Sequence, residues 1–284
     1  DGTARCWGAN FEGQVGDGTT SQRFTPTTVT GLTGATQITS GLDHTCALLA
    51  DGTARCWGAN FDGQIGDGTT TGRLTPTTVT GLTGATQITA GNSHTCALLA
   101  DGTARCWGNN FSGQIGDGTT TSRLTPSAVT GLTGAVQITS GLDHTCALLA
   151  GGTARCWGAN FDGQIGDGTS GTVRLSPTTV TGLTGAVQIS SGGFHTCAIR
   201  ADGTARCWGD NFFGEIGDGT TTDRLTPTTV TGLTGATQIT AGGDHTCAVL
   251  ADGTARCWGN NGSGQIGDGT TTSRLTPTTV TGLP

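Results

Sequence analysis

Lysine, tyrosine and methionine are all missing from this chain of 284 residues, and charged residues make up only 12% of it. Its 13 basic residues are all Arg and face 20 Asp and Glu, a formal net charge of −7. That balance lacks the basic stripe that nucleic acid or anionic lipid demands, so no nucleic-acid partner is expected. No apolar run approaches the ~18 residues of a spanning helix, so no membrane insertion is expected either. Aromatic residues are scarce, at 5%. The low charge, beside a hydrophobic content of 33%, does not fit a chain held open by self-repulsion. Without Met there is no initiator, so a processed chain or a fragment is expected. No signal peptide is visible, which in such a piece says nothing about export.

What is abundant is Gly, with 52 residues, and Thr, with 60. Both serve an internal repeat. DGTARCWG begins at Asp1, Asp51, Asp101, Asp202 and Asp252, and returns as GGTARCWG at Gly151, giving spacings of 50, 50, 50, 51 and 50. The extra residue falls in one loop, Ser170-Gly171-Thr172-Val173, as a repeated structural unit tolerates.

Within a period, Thr, Val, Ile and Leu form short runs that Gly or Pro interrupts, so no useful helix fits. Four strands are expected: Ala35–Thr39, His44–Leu49, Thr53–Trp57, and a fourth around Thr77–Thr80. Four-stranded units of about 50 residues repeated about six times predict an all-β fold, a β-propeller in one domain; a solenoid of stacked units is the alternative. The blades are expected at 35–84, 85–134, 135–185, 186–235 and 236–284, with a half blade at 1–34.

The hairpin Leu49-Ala50-Asp51-Gly52-Thr53 reads as a three-residue loop with Gly52 in the left-handed region. That register sets Leu48 opposite Ala54, Cys46 opposite Cys56 and Thr45 opposite Trp57. Cys46 and Cys56 then form a non-hydrogen-bonded pair, with Cα atoms about 4.5 Å apart, just within disulfide range.

The run Gly41-Leu42-Asp43-His44-Thr45-Cys46-Ala47-Leu48, then Asp51-Gly52, then Cys56-Trp57-Gly58-Ala59-Asn60-Phe61-Asp62-Gly63-Gln64-Ile65-Gly66, resembles the regulator-of-chromosome-condensation repeat. The resemblance recurs once per period along the whole chain. It implies a propeller, commonly of seven blades, used for protein binding. The paired cysteines depart from the nuclear members and look more like secreted bacterial versions. Nucleotide exchange on a small GTPase, as in the nuclear relative, rests on fold analogy alone.

Eleven Cys residues divide into Cys46 with Cys56, Cys96 with Cys106, Cys146 with Cys156, Cys197 with Cys207, and Cys247 with Cys257, leaving Cys6. Disulfides imply an oxidising compartment, so an extracellular or cell-surface location is expected. Unpaired structural thiols, or zinc on His44, Cys46 and Cys56, are the alternatives; zinc would find only three ligands. No cofactor is expected.

Five equivalent histidines, His44, His94, His144, His195 and His245, lack the asymmetry of a catalytic base and suit blade packing or backbone bonding, so the chain is expected not to be an enzyme. The six Trp, each opposite a small Thr, read as fillers between blades. Asp17, Asp67 and their copies match no calcium loop and are read as turn formers or partners of the Arg six residues on, such as Arg23 and Arg73. The Gly-rich stretches have neither the Lys nor the helix of a phosphate loop. Asn110 and Asn261 begin formal glycosylation sequons but stand where the repeat wants a structural Asn.

The copies differ where function is expected. With the first strand running towards a top face, the first-to-second and third-to-fourth connections share that face, and the Asp-Gly turns lie below. The first set varies as Leu42-Asp43, Asn92-Ser93, Leu142-Asp143, Gly193-Phe194 and Gly243-Asp244; the second varies at Glu12, Asp62, Ser112, Asp162, Phe213 and Ser263. These positions read either as unconstrained solvated loops or as a rim that binds a protein or glycan, with Phe194 and Phe213 as aromatic points on an acidic ground. A structural subunit of an extracellular assembly, with Thr-rich edges open to glycosylation, is the alternative. The half blade bears on that choice: Cys6 and Trp7 are expected at an open seam, paired along Thr3–Trp7 by a preceding segment or a neighbouring chain and bridged through Cys6.

Overall fold

The computed structural model describes residues 1–282; Leu283 and Pro284, the last two of the interval 236–284, lie outside the described residues. The elements are all strands. Five four-stranded antiparallel sheets follow one another: β3–β6 (Ala35–Ser40, His44–Leu49, Ala54–Gly58, Arg73–Thr78), β7–β10 (Ala85–Ala90, His94–Leu99, Ala104–Gly108, Arg123–Ala128), β11–β14 (Ala135–Ser140, His144–Leu149, Ala154–Gly158, Arg174–Thr179), β15–β18 (Ala186–Ser191, His195–Arg200, Ala205–Gly209, Arg224–Thr229) and β19–β22 (Ala236–Ala241, His245–Leu250, Ala255–Gly259, Arg274–Thr279). Before them stands a two-stranded sheet, β1 (Arg5–Gly8) with β2 (Arg23–Thr28).

The hairpin register is the one read from the turn: Thr45 opposite Trp57, Cys46 opposite Cys56, Leu48 opposite Ala54. Gly52 has φ 77°, and its N–H donates to the Leu49 carbonyl at 3.0 Å. The fourth strand starts and ends earlier than expected. β6 begins at Arg73, opposite Gly58, and carries Pro76 in its middle, with a register shift between Cys56 and Gly58. Proline lacks a ladder donor, and only an edge strand tolerates that; β6 is the outermost strand of its sheet.

Neighbouring sheets are joined by side chains. Trp57, wholly buried, donates its indole N–H to the Gln14 carbonyl of the preceding repeat at 3.0 Å, and Thr45 Oγ1 donates to the same oxygen at 2.9 Å. The Gln37 amide replaces a strand partner between first strands, accepting from Ile88 N–H and donating to Ile88 C=O, both at 3.1 Å. Ile, Leu, Val and Trp fill the space between successive sheets. Equivalent residues of the five full blades, from Ser40-Gly41-Leu42 round to Gly242-Gly243, line one shallow cavity of about 220 Å³, so the first strands gather around a common axis.

Ile38 is 44% exposed, whereas its equivalent Ile88 is 2% exposed beneath the preceding blade.

Candidate functional site

The top face is built by two connections per blade that are locked together. The N–H of Ala59 donates to the Asp43 carbonyl at 2.8 Å, and Asn109 to Ser93, Ala159 to Asp143, Asp210 to Phe194 and Asn260 to Asp244 repeat the link. The Asp-Gly turns lie at the other end, where Ala85 N–H meets the Gly52 carbonyl at 3.0 Å.

A buried Asn organises the longer connection. Asn60 Oδ1 accepts from Ile65 N–H at 2.9 Å, while Nδ2 donates to the Thr69 and Thr71 carbonyls at 3.0 and 3.1 Å. Asn110 and Asn261 hold the same buried position, so neither sequon nitrogen is accessible in the folded chain. Below this Asn, Asp67 accepts from Arg73 and from Thr69, the turn-and-Arg role expected of it. Burial opposes ionisation of Asp67, but the bonds from Thr69 and Arg73 outweigh it and hold the carboxyl below its usual range.

These loops place the rim residues unequally. Leu42 and Phe194 are exposed, Phe194 at 37%. Asp43, Asn92, Ser93, Leu142, Asp143 and Asp244 are half-buried at the inner edge. Glu12, Asp62, Ser112, Asp162 and Phe213 are half-buried as well, and Ser263 is exposed. The half-buried set sits in a tight turn, where the N–H of Glu12 donates to Gln14 Oε1 and that of Asp62 to Gln64 Oε1. Burial pushes the carboxyls of Asp143 and Asp162 upward, with Asp223 adding to it at Asp162.

The solvent-facing group of that turn is the preceding residue. Phe11, Phe61, Phe111, Phe161 and Phe212 are all exposed, Phe212 at 71%, and Phe213 meets Phe212 edge to face with ring centroids 4.8 Å apart. One exposed phenylalanine per blade therefore crowns five repeats. A comparison confined to freely varying positions passes over it; the available signal was a large aromatic kept in five copies of six, with Gly262 in the last, in a loop that offers no strand face to bury it.

His44, His94, His144 and His195 lie away from this surface, in the interfaces between blades, while His245 of the last blade is half-buried. His44 Nε2 is 2.9 Å from Thr95 Oγ1 of the next blade, so their bond is to a hydroxyl rather than to backbone. Burial holds His44 at a pKa of about 4 and His94, with His44 and His144 nearby, at about 3. The five cysteine pairs are disulfides with Cα atoms 4.1 Å apart, which removes those sulfurs as zinc ligands. Cys6 is free and half-buried beside Trp7, which is 60% exposed. Both line a cleft of about 380 Å³ with Ile38 and Leu42, between β1 and the first full blade.

The family model described as the regulator of chromosome condensation (RCC1) repeat matches residues 1–48, 51–98, 101–148, 152–199 and 202–249. A second model of that description matches 35–64, 85–114, 135–164, 186–215 and 236–265. Among solved structures, yeast RCC1 (Prp20) in its complex with Kap60 superimposes with a TM-score of 0.86 at 22% identity, over 99% of this chain and 71% of its own. The Saccharomyces cerevisiae Prp20p structure, described together with binding to Gsp1p and histones, gives 0.86 at 21% identity, over 99% and 73%. Human WBSCR16 gives 0.82 at 22% identity, over 98% and 78%. Likeness at these identities establishes the propeller fold alone. A comparison with curated proteins found no match.

Proposed function

The chain belongs to the regulator of chromosome condensation (RCC1) repeat family, and from that premise we propose a non-enzymatic binding scaffold, secreted or displayed at a cell surface, that holds a macromolecule on its top rim. The observation that carries this reading is the crown Phe11, Phe61, Phe111, Phe161 and Phe212, which leaves large aromatic surface in solvent in five of the six repeats. Aromatic side chains concentrate binding energy at interfaces, and rigid loops on a repeated scaffold are common places to carry them. Phe194 and Phe213 add aromatic area where the blades differ, and Asp43, Asp62, Asp143, Asp162 and Asp244 make the ground acidic. A protein partner with a basic, apolar face fits best; a glycan stacking on the rings is the lesser alternative. The five disulfides support an oxidising compartment. The non-enzymatic reading is supported by His44, His94, His144 and His195, whose rings are spent on packing between blades.

The test is site-directed photo-crosslinking in the native extracellular setting. A crosslinker at Phe111 should capture a partner, and one at Ala100, on the opposite face, should not. Equal capture from both positions, or none from Phe111, counts against the rim. Simultaneous Phe→Ala changes at 61, 111, 161 and 212 should then abolish capture.

One observation favours the assembly reading: the cleft between β1 and the first full blade leaves Trp7, Ile38 and Leu42 exposed together. Light scattering over a concentration series decides it, since a monomer at every concentration removes self-association. Nucleotide exchange on a small GTPase remains the remotest of the three readings and is checked by a release assay with labelled nucleotide.

A further inference from the structure

Three of the places where the fourth full blade departs from its five sister copies bring in a carboxylate, and they lie close together. Asp210 stands where the others carry Ala9, Ala59, Asn109, Ala159 or Asn260. Glu215 replaces Gln14, Gln64, Gln114, Gln164 or Gln265, and Asp223 replaces Gln22, Gly72, Ser122, Val173 or Ser273. Each of these three adds a negative charge, while Phe213 takes the place of Glu12, Asp62 or Asp162 in three of the sister copies. The carboxylates also sense one another: Asp210 and Asp244 act on Glu215, and Asp223 acts on Asp210 and Asp162.

Acidic loops are ordinarily just solvated, but Glu215 is not in solvent. Its side chain is 0% exposed. Oε2 accepts from Phe213 N–H at 2.9 Å, while the buried Oε1 has no hydrogen-bond partner among the described residues.

A sister copy shows what that place requires. Gln114 Oε1 accepts from Ser112 N–H at 2.9 Å, and its Nε2 donates to Asn109 Oδ1 at 2.9 Å and to Asp143 Oδ1 at 3.2 Å. Asp210 keeps the Asn109 arrangement, accepting from Phe212 N–H at 3.2 Å as Asn109 accepts from Phe111 N–H at 3.1 Å. Asp244 is the counterpart of Asp143. In the fourth blade a bare oxygen therefore stands in place of an amide donor, among acceptors, with the donor gone. A buried acceptor facing acceptors is costly unless a positive species comes between them.

We propose that Glu215, Asp210 and Asp244 bind one hard divalent cation at the rim, with Asp223 and Asp162 as outer charges. An all-carboxylate donor set selects Ca²⁺ over zinc or copper, and loop-borne ligands suit its flexible geometry better than the strict octahedron of Mg²⁺. Among the described residues no three acidic, His or Cys side chains already close into a metal cage. Asp210 and Asp244, on loops at the rim, therefore turn inward on binding, which fits the weak range of extracellular modules, a Kd of about 10⁻⁴–10⁻³ M. The ion would tie the third-to-fourth connection of one blade to the first turn of the next, through Asp244. The other charged groups around it are Asp162 and Asp223, His245 beside Asp244, and Arg224, which is committed to Asp218.

The experiment uses Tb³⁺ and Ca²⁺ on the intact chain. Trp258 donates its indole N–H to the Glu215 carbonyl at 2.7 Å, so a lanthanide held at this site lies close to a sensitising indole. Indole-excited Tb³⁺ emission is expected, displaced by Ca²⁺, together with calorimetric Ca²⁺ binding at pH 7.5. Glu215→Gln installs the residue of every sister copy; it should keep the fold by circular dichroism and lose at least tenfold in Ca²⁺ affinity. Should that variant fail to fold, Asp210→Asn, the Asn109 counterpart, must show the same loss. Binding undiminished in Glu215→Gln, or no Ca²⁺ heat and no shift of Tm at millimolar Ca²⁺, overturns the proposal.

Discussion

His44 and Thr95, 51 positions apart, meet with Nε2 2.9 Å from Oγ1, and the same contact recurs from His94 to Thr145, His144 to Thr196 and His195 to Thr246. The Thr95 hydroxyl spends its one proton on the Gln64 carbonyl at 2.9 Å. The imidazole must then be the donor, protonated at Nε2, which leaves Nδ1 bare and without a partner among the described residues. Trp107 donates to that same Gln64 carbonyl at 2.9 Å. Each interface between full blades is thus closed by a chain of donors running His to Thr to carbonyl.

Thr95→Val should break this chain. It orphans the His44 N–H and takes one donor from the Gln64 carbonyl, at about 1–3 kcal/mol for each buried group left unsatisfied. Thr95→Ser keeps the hydroxyl and should recover most of the loss. Denaturant midpoints of the two variants check this; equal midpoints would show that the hydroxyl contributes nothing.

Acid should loosen the interfaces before it disturbs the loops. His44 and His144 are held at about 4, and His94 and His195 at about 3, below an ordinary value of 6.5. A depressed folded pKa means that the unfolded chain binds more protons. The stability these groups contribute is complete above pH ~6.5 and is lost as pH falls towards 4, by up to about 1.4 kcal/mol per unit for each His. Glu215, raised to about 7, works in the opposite sense, but it is one group against four. The apparent Tm should therefore fall between pH 6.5 and 4, and a flat profile over that window refutes the account.

Gly91→Ala should be poorly tolerated although its backbone is ordinary. A Cβ there runs into the His94 ring and the Gly141 carbonyl of the next blade. Overpacking of this kind costs about 1–3 kcal/mol or more, read as a drop in Tm of the variant. Wild-type stability would mean that the ring has room to shift.

Alkylation followed by intact mass should add one label to the native chain, at Cys6, and eleven after reduction and unfolding. Burial raises the Cys6 thiol, so the single native label should come slowly. Each bridge closes an 11-residue loop and contributes about 2.8 kcal/mol in the chain-entropy model, so reductant should lower Tm markedly. Ten or more native labels would contradict the bridges.

The hairpin register, the cysteine pairs and the Asp67–Arg73 contact were legible because each joins residues within about a dozen positions, where turn geometry and strand alternation leave one solution. The fourth strand was misplaced because Pro76 reads as a breaker until its position on a sheet edge is known. The Phe crown escaped because a residue kept in five copies of six looks structural when only variation is counted. Glu215, the one departure from Gln at its position, was passed over, because its meaning depends on Asp244 of the next blade.

The periodicity of the chain by itself determined the repeat, the strand content and the disulfide hairpins, since all of these follow from spacing within one unit. Only the tertiary structure decided what each unit gives its neighbour. His44 reaches Thr95, Gln37 reaches Ile88, and Glu215 lies beside Asp244 through packing across blade interfaces. A one-dimensional pattern repeated every 50 residues is compatible with many stackings. The choice among them rests on which buried polar groups find partners once the sheets close on a common axis.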